Sequence, residues 1–272
     1  MGHIDEKLNI IKNSDSNLSK FFNELKRYNP IIIGGFIRNI INNEEVRDID
    51  IILNTEDYFA INRIVNKLKL DYRINQFDGY KIIFNNITID LWYIKNHNLF
   101  KKGIYNIDIN NLKDTTFINY DSLIYDINNK KLDIDYYQEC INSNTIDFVG
   151  NNDAIINNPK PYLSIVKILE LSYKKSFNIS NNVNIYIDYY YNYNKDNFIN
   201  ILNKEYNKHY NKELSIDFIE YINKYIKKID NIKIKYDDRD YIDGVPINDN
   251  KDYLLNFKEG LREFKYKIKH KK

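Results

Sequence analysis

Residues that could act on a phosphate lie close together in residues 31–53, IIIGGFIRNIINNEEVRDIDIIL. Gly34 and Gly35 stand between a predicted strand and a predicted helix, and without Cβ atoms they let the backbone approach a ligand closely. The first turn of that helix offers N–H groups to phosphate, and Arg38, one turn further on, can reach the same phosphate. The pattern predicts a phosphate-binding turn.

Two carboxylates follow on the next predicted strand. Asp48 and Asp50 are two residues apart in DIDIIL, so both side chains leave the same face of the strand. Two carboxylates in an apolar strand repel each other and are costly to bury unpaired. A divalent cation relieves that cost, and Mg²⁺ prefers carboxylate and phosphate oxygens.

A third carboxylate, Asp90, interrupts the apolar segment ITIDLW. If its strand pairs beside that of Asp48 and Asp50, three carboxylates converge and can hold two Mg²⁺ ions, with Mn²⁺ as an alternative. Such ions would activate an acceptor hydroxyl and neutralise leaving pyrophosphate. Each feature alone is weak, since D-x-D recurs at Asp133 and Asp135; the joint arrangement is much rarer.

The first half of the chain must position these groups with a mixture of helices and strands. Residues 14–28 read as an amphipathic helix with Phe21, Phe22 and Leu25 on its apolar face and Ser14 or Ser16 as its cap. Further strands and helices are predicted from β-branched runs, turn residues and apolar spacing. The predicted strands are 31–33, 48–53, 71–75, 80–84 and 87–94, and the predicted helices begin at FIRNIIN and cover 55–69 and 112–126.

The second half is predominantly helical in pattern. Residues 161–177 predict a strong helix with Pro161 in its first turn. A loop is predicted from residue 180, within the segment NISNNVN of residues 178–184. Residues from about 184 to 230 and 251–268 are predicted as helices, and 236–250 as a polar loop. The fold class is therefore α+β, a mixed head of sheet and helices followed by a helical region.

Composition excludes several classes of protein. The formal charge of +2 excludes a histone-like polycation, and no apolar run approaches a membrane span. One cysteine excludes an internal disulfide, and the scattered histidines disfavour a histidine metal site. We expect a soluble protein of the cytoplasm, or of the host cytoplasm if viral. The excess of Asn, Ile, Lys and Tyr over Ala, Gly and Pro indicates an A+T-rich genome.

The segment around Gly34 resembles the head motif of the DNA polymerase beta nucleotidyltransferase superfamily. More narrowly, it resembles the group of class II tRNA nucleotidyltransferases and bacterial poly(A) polymerases, whose motif reads G-G-x-V-R-D followed by D-x-D. Gly34, Gly35, Arg38, Asp48 and Asp50 match. In that family the D-x-D pair and one later strand aspartate bind the metals, and the resemblance implies Asp90 for the latter. Asn39 stands where the family has aspartate.

Two further stretches carry the resemblance. Residues 112–126 are similar to the family segment R-D-F-T-I-N-A-L-A-Y-D, which contacts the nucleotide, and either Asn119 or Asp121 occupies its asparagine position. Residues 146–179 resemble the family's neck, where Lys167 is a further candidate for contact with the nucleotide. The neck positions that fit are Phe148, Val149, Gly150, Ile165, Lys167, Leu169 and Phe177.

The neck also departs from the family. The E-D-x-x-R motif, which pairs with the incoming base, becomes Lys160-Pro161-Tyr162-Leu163-Ser164. Neither Pro161 nor Ser164 can make the expected contacts, so base choice is looser or is made by residues such as Lys167 or Tyr162. The resemblance covers about residues 30–180. Together with the sequence pattern it predicts a head over 1–126 and a neck-like segment over 127–180, and the pattern alone predicts a helical region over 181–272.

The resemblance implies an ATP- and RNA-binding, metal-dependent nucleotidyltransferase that moves NMP from an NTP to the 3′ end of a tRNA or other RNA. Two alternatives stay open: a toxin- or defence-type enzyme that modifies a tRNA, a protein or a small molecule, and a non-catalytic RNA- or nucleotide-binding relative. Candidate RNA contacts are the terminal LREFKYKIKHKK, the tyrosine-rich run 186–193, and Lys167, Lys174 and Lys175.

Overall fold

A computed structural model describes residues 2–75, 78–85 and 87–236, with side chains as far as residue 229. The chain forms two compact units, residues 1–139 and residues from 140 onward. The boundaries after residues 126 and 180 stay predictions. The α+β class is confirmed, because the first unit contains a seven-stranded mixed sheet with helices and the second is mainly helical.

The helices of the first unit are α1 (Gly2–Asn13), α2 (Ser16–Leu25), α3 (Gly35–Ile41), α4 (Ala60–Leu68), α5 (Asn98–Lys101) and α6 (Asp135–Ser143), the last of which runs across the boundary at residue 139. Its strands are β1 (Pro30–Ile33), β2 (Asp48–Leu53), β3 (Tyr72–Ile74), β4 (Tyr80–Phe84), β5 (Ile87–Tyr93), β6 (Ile124–Asp126) and β7 (Lys131–Asp133). The sheet order is β3-β4-β5-β2-β1-β6-β7, and β2 and β5 are parallel while every other pair is antiparallel.

One face of the sheet carries the main apolar core. Alternation along β2 and β5 sends Ile49, Ile51, Ile89 and Leu91 to this face, and all four are buried. Helices α2 and α4 cover it through apolar side chains. Those buried on the two helices are Leu18, Phe21, Phe22, Leu25, Ala60, Ile61, Ile64 and Val65.

On the opposite face, apolar side chains cover one end of the sheet and leave the other end polar. Ile52 near the end of β2, with Trp92 of β5 and Ile31 of β1, packs against residues of the 94–112 segment such as Phe100 and Leu112. The beginnings of β2 and β5 carry polar residues on this same face. The sheet therefore has a polar surface at one end, next to an apolar cluster that holds the strands in register.

One predicted helix and one predicted helix cap of the first unit are wrong. Residues 112–126 form short 3₁₀ turns and strand β6 rather than a helix. Phe117 has φ of +76°, and the hydroxyls of Thr115 and Ser122 donate to backbone carbonyls of Leu112 and Lys113, so side chains compete with helical hydrogen bonds. The cap of α2 is Asp15, whose carboxylate accepts from two backbone N–H groups, and not Ser14 or Ser16.

The second unit contains α7 (Asn152–Ile156), α8 (Pro161–Lys175), α9 (Asn181–Tyr193), α10 (Phe198–Tyr210) and α11 (Ile216–Tyr236), with a small parallel pair of strands, β8 (Thr145–Ile146) and β9 (Asn178–Ile179). The helix predicted after Pro161 is confirmed. The loop predicted from residue 180 is wrong, because Ser180 caps α9 by accepting from the N–H of Val183. None of the described helices combines the length and apolar character that a bilayer crossing needs.

The predicted elements 236–250 and 251–268, apart from Tyr236 at the end of α11, and the lysine-rich end of the chain lie outside the described residues. The tyrosine-rich run forms most of α9, where Tyr186 is buried and its ring packs against those of Phe148 and Tyr190. On α8, the ammonium of Lys174 lies 2.6 Å from the carboxylate of Glu170. Tyr186 therefore contributes to the core of the second unit, whereas Tyr193 at the end of α9 is exposed.

Candidate active site

The three predicted carboxylates share one face of the sheet. Asp50 of β2 is the register partner of Asp90 of β5, and Asp48 is the partner of Thr88. Register partners on neighbouring strands point to the same side, and so do residues two apart on one strand. Asp48, Asp50 and Asp90 therefore project from one face, at the polar end of the sheet.

The glycine turn lies next to this carboxylate face. Strand β1 runs antiparallel to β2 and ends at Ile33, the register partner of Asp50, so Gly34 and Gly35 follow directly beside the start of β2. Gly34 has φ of +64° and ψ of −122°, a backbone conformation that is unfavourable for residues other than glycine. Its N–H donates to the carbonyl of Leu123 at 2.8 Å, which fixes the turn.

Arg38 extends from α3 into a local polar network. Its guanidinium donates to the carboxylate of Asp121 and to the amide oxygen of Asn39, and lies 5.3 Å from the centre of the Tyr120 ring. Burial lowers the pKa of Arg38, but the charges of Asp121, Tyr120 and Glu44 outweigh it and raise the pKa above its ordinary value. The guanidinium is held in place and stays charged, as phosphate binding would need.

The two alternatives for the nucleotide-contacting residue lie in one 3₁₀ turn, Asn119–Asp121. Asn119 is buried, whereas Asp121 is partly exposed and pairs with Arg38. The carbonyl of Asp121 would lie 3.6 Å from a Cβ at Gly34, so this turn stands directly against the glycine turn. The structure thus brings both alternatives next to the glycine turn.

Asp90 has a carboxylate whose charge is disfavoured by its surroundings. Desolvation raises its pKa above the ordinary 3.8; Lys81, whose ammonium is 3.5 Å away, lowers it, and the negative charge of Asp48 raises it further. The repulsion from Asp48 is the electrostatic signature of carboxylates gathered on one face. Oxygen donors of this kind suit Mg²⁺. Among the described residues, however, no group of three or more His, Cys, Asp or Glu side chains is arranged as a ligand set.

Asp90→Asn is expected to stabilise the metal-free protein increasingly as pH rises. A carboxylate whose pKa is raised in the folded state contributes its stability below the ordinary value of 3.8 and loses it as pH rises through the folded-state pKa. The amide avoids that loss. Urea unfolding in EDTA from pH 4 to 7 measures the difference, with Asp71→Asn, an exposed carboxylate, as the control for net charge. A difference that is absent or shrinks with pH would contradict the assignment.

Two cations near the carboxylates were missed from the sequence. Lys81 of β4 is the register partner of Asp90, and Arg73 of β3 is the partner of Lys81. The signal was available, because the predicted turn at Asp78-Gly79 pairs the two flanking strands and alternation places Lys81 away from the apolar face.

The remaining candidate, Lys167, lies on α8 in the second unit and is half-buried. Near the start of the same helix, the hydroxyl of Ser164 accepts from the amide of Asn158 at 2.9 Å, and the amide of Asn194 donates to the hydroxyl of Tyr162. Residues at the positions of the family's base-pairing motif are therefore engaged in holding α8 within its own unit.

Comparisons with known proteins place this fold. No protein-family model and no curated protein sequence matches the chain. Among solved structures, a CCA-adding enzyme in complex with ATP matches with a TM-score of 0.55 and 13% identity over 86% of this chain and 56% of its own. The Thermotoga maritima CCA-adding enzyme complexed with tRNA matches with a TM-score of 0.53 and 15% identity over 82% of this chain and 52% of its own.

A tRNA nucleotidyltransferase complexed with a primer tRNA and an incoming ATP analogue also matches, with a TM-score of 0.53 and 12% identity over 88% of this chain and 81% of its own. The chain spans about half the length of the CCA-adding enzymes it matches. At these identities the likeness concerns the fold. The chain has the fold of CCA-adding enzymes and tRNA nucleotidyltransferases, as its resemblance to the polymerase beta superfamily implied.

Proposed function

We propose that the chain is a metal-dependent nucleotidyltransferase that transfers NMP from an NTP to the 3′-hydroxyl of an RNA. One observation carries the proposal: Asp50 and Asp90 are register partners on parallel strands, with Asp48 on the same face and Gly34 and Gly35 beside them. Neighbouring carboxylates on one face of a sheet repel each other, and a phosphate-bound cation would offset that repulsion.

The glycine turn and Arg38 would hold the triphosphate. Helix α3 has only seven residues, so its dipole contributes little, and binding would rest on backbone N–H groups of its first turn and on the guanidinium. Asp121 positions that guanidinium through its ion pair, and Asn119 lies in the same turn. We assign the ribose contact to this turn. The contact of Lys167 with the nucleotide stays a prediction from the sequence.

Asp48 and Asp50 would hold both Mg²⁺ ions, and Asp90 would hold the ion nearer the acceptor. Bound Mg²⁺ would supply Lewis-acid stabilisation of the α-phosphate and of leaving pyrophosphate. The acceptor hydroxyl would form the new bond to the α-phosphorus and lose its proton to solvent, while the bond from the α-phosphorus to the bridging oxygen breaks and pyrophosphate leaves with that oxygen. The carboxylates have to hold these groups in line, a task that suits rigid strands better than loops.

The choice of RNA as acceptor is supported by fold likeness to proteins captured with ATP and with tRNA. Fold alone does not give acceptor identity. We therefore include ATP among the nucleotides and tRNA among the RNAs to be tested first.

Magnesium-dependent labelling of RNA tests the proposal. Purified protein is expected to incorporate labelled NMP from at least one of the four NTPs into a mixed RNA pool, to lose the activity in EDTA and to regain it on addition of Mg²⁺ or Mn²⁺. Products separated by size identify the acceptor. Absence of transfer with every NTP contradicts the proposed reaction, and label found only on protein or small molecules contradicts the RNA acceptor.

A further inference from the structure

One row of register partners crosses five strands of the sheet at the carboxylates. From β1 to β3 its members are Ile33, Asp50, Asp90, Lys81 and Arg73. Because register partners share a face, both cations lie on the carboxylate face. Adjacent strands are about 4.8 Å apart, so the backbones of Lys81 and Arg73 lie about 5 and about 10 Å from that of Asp90.

The two cations differ in their partners. The ammonium of Lys81 lies 3.5 Å from Asp90 and its side chain is 49% exposed. Arg73 is exposed and makes no ion pair with any residue that the structure describes. On the same face, Ile83 of β4 is 63% exposed and is the register partner of Thr88, which itself pairs with Asp48. The face beyond Asp90 is thus open, cationic and partly apolar.

The reaction geometry assigns a direction to this face. In nucleotidyl transfer the attacking and leaving oxygens lie roughly in line on opposite sides of the phosphorus. The glycine turn and Arg38, which would hold the leaving pyrophosphate, lie on the β1 side of the carboxylates. The sheet order puts β4 and β3 on the other side. A hydroxyl that attacks opposite the pyrophosphate would then approach from the side of Lys81 and Arg73.

We propose that Arg73, with Lys81 beside it, binds backbone phosphates of the acceptor RNA just before its terminal hydroxyl. The inference rests on the proposed function and adds the path of the acceptor strand. A guanidinium in line with the carboxylates suits the phosphates that precede a 3′ end, whereas a free nucleoside or a small acceptor has no phosphate at that distance. Lys81 contacts both the RNA strand and the carboxylate of Asp90.

RNA binding without catalysis tests the inference. Fluorescence anisotropy of a labelled 12-nucleotide single-stranded RNA, with the full chain in EDTA and no NTP, compares wild type with Arg73→Gln. Arg73→Gln is expected to weaken binding about fivefold to tenfold at low salt and to reduce the slope of log K against log salt by about 0.7, the loss of one phosphate contact. Arg73→Lys should keep the slope.

Arg63→Gln is the matched control. Arg63 lies on α4, which covers the opposite face, and pairs with Asp57, so its loss removes the same charge elsewhere. Its binding should equal that of wild type. Three outcomes would overturn the inference. Both variants could weaken RNA binding equally, Arg73→Gln could weaken RNA binding without changing the slope of log K against log salt, or wild type could fail to bind RNA.

Transfer kinetics separate this inference from the proposed function. Arg73→Gln should raise KM for RNA and leave KM for NTP unchanged. If wild type transfers no nucleotide, the proposed function fails while the anisotropy comparison still decides the role of Arg73. If transfer occurs and Arg73→Gln changes neither RNA binding nor KM for RNA, the inference alone fails.

Discussion

Asp48→Ala is expected to reduce nucleotidyl transfer about a thousandfold or more, to the level of the assay background. Asp48 begins β2, is exposed, and is the carboxylate whose charge raises the pKa of Asp90. Its removal takes away a ligand for both proposed metal ions but no core packing. The free energy of unfolding of the variant should therefore lie within about 0.5 kcal/mol of the wild-type value. Labelled NMP incorporation and urea unfolding measure the two quantities.

The chain contains its own control for this substitution. Asp135 belongs to the second D-x-D sequence and is 77% exposed, with its carboxylate 3.6 Å from Lys113. Asp135→Ala removes the same charge at the same spacing, away from Gly34 and Asp90, and should transfer nucleotide like wild type. If Asp48→Ala matches wild type with all four NTPs, the catalytic role of the carboxylate face is wrong.

The strands that carry the site could be predicted because their signals are local. Asp48–Leu53 is a β-branched run with two acids at alternate positions, and its predicted bounds agree with the structure. The pairing of Asp50 with Asp90 is a different matter. Strand β5 follows the β3–β4 hairpin and then inserts between β4 and β2, a choice set by packing on both faces rather than by any local pattern.

Two elements of the first unit differ from the predictions for different physical reasons. In residues 112–126 apolar spacing favours a helix, yet hydroxyl side chains bond to nearby carbonyls and Ile124–Asp126 gains a full strand pairing with β1. Helix α1 was not predicted at all, although Ile4 and Leu8 are one turn apart and both are buried. Its polar composition hides a narrow apolar stripe, and tertiary contact supplies most of the stability of such a helix.

The network around Arg38 could be predicted only in part. The resemblance implied that Asn119 or Asp121 approaches the nucleotide, but not that Asp121 would pair with Arg38. Asn39, which replaces an aspartate of the family, accepts from the same guanidinium and donates to the carbonyl of Glu45 at 2.8 Å. A neutral amide can make both hydrogen bonds, so the substitution keeps the positioning contact and gives up one negative charge.

Alanine substitutions at the two glycines of the turn should affect different properties, protein stability at Gly34 and NTP binding at Gly35. Gly34→Ala is expected to destabilise the protein by about 1–3 kcal/mol, because alanine disfavours φ of +64° with ψ of −122°. The turn cannot relax easily, since the N–H of Gly34 donates to Leu123 and its carbonyl accepts from Arg38 at 3.2 Å. Thermal unfolding should show a fall of several degrees in Tm.

Gly35→Ala should have the opposite profile. Gly35 is the first residue of α3, and a Cβ there would lie 3.5 Å from Arg38 Nη2, an ordinary contact, so stability should be unchanged or rise by up to about 1 kcal/mol. The added methyl would stand where the backbone has to approach the triphosphate, and KM for NTP should rise at least about tenfold. If Gly35→Ala is stable and its KM for NTP is unaltered, the triphosphate does not bind at this turn. The strain at Gly34 would then be a property of the fold alone.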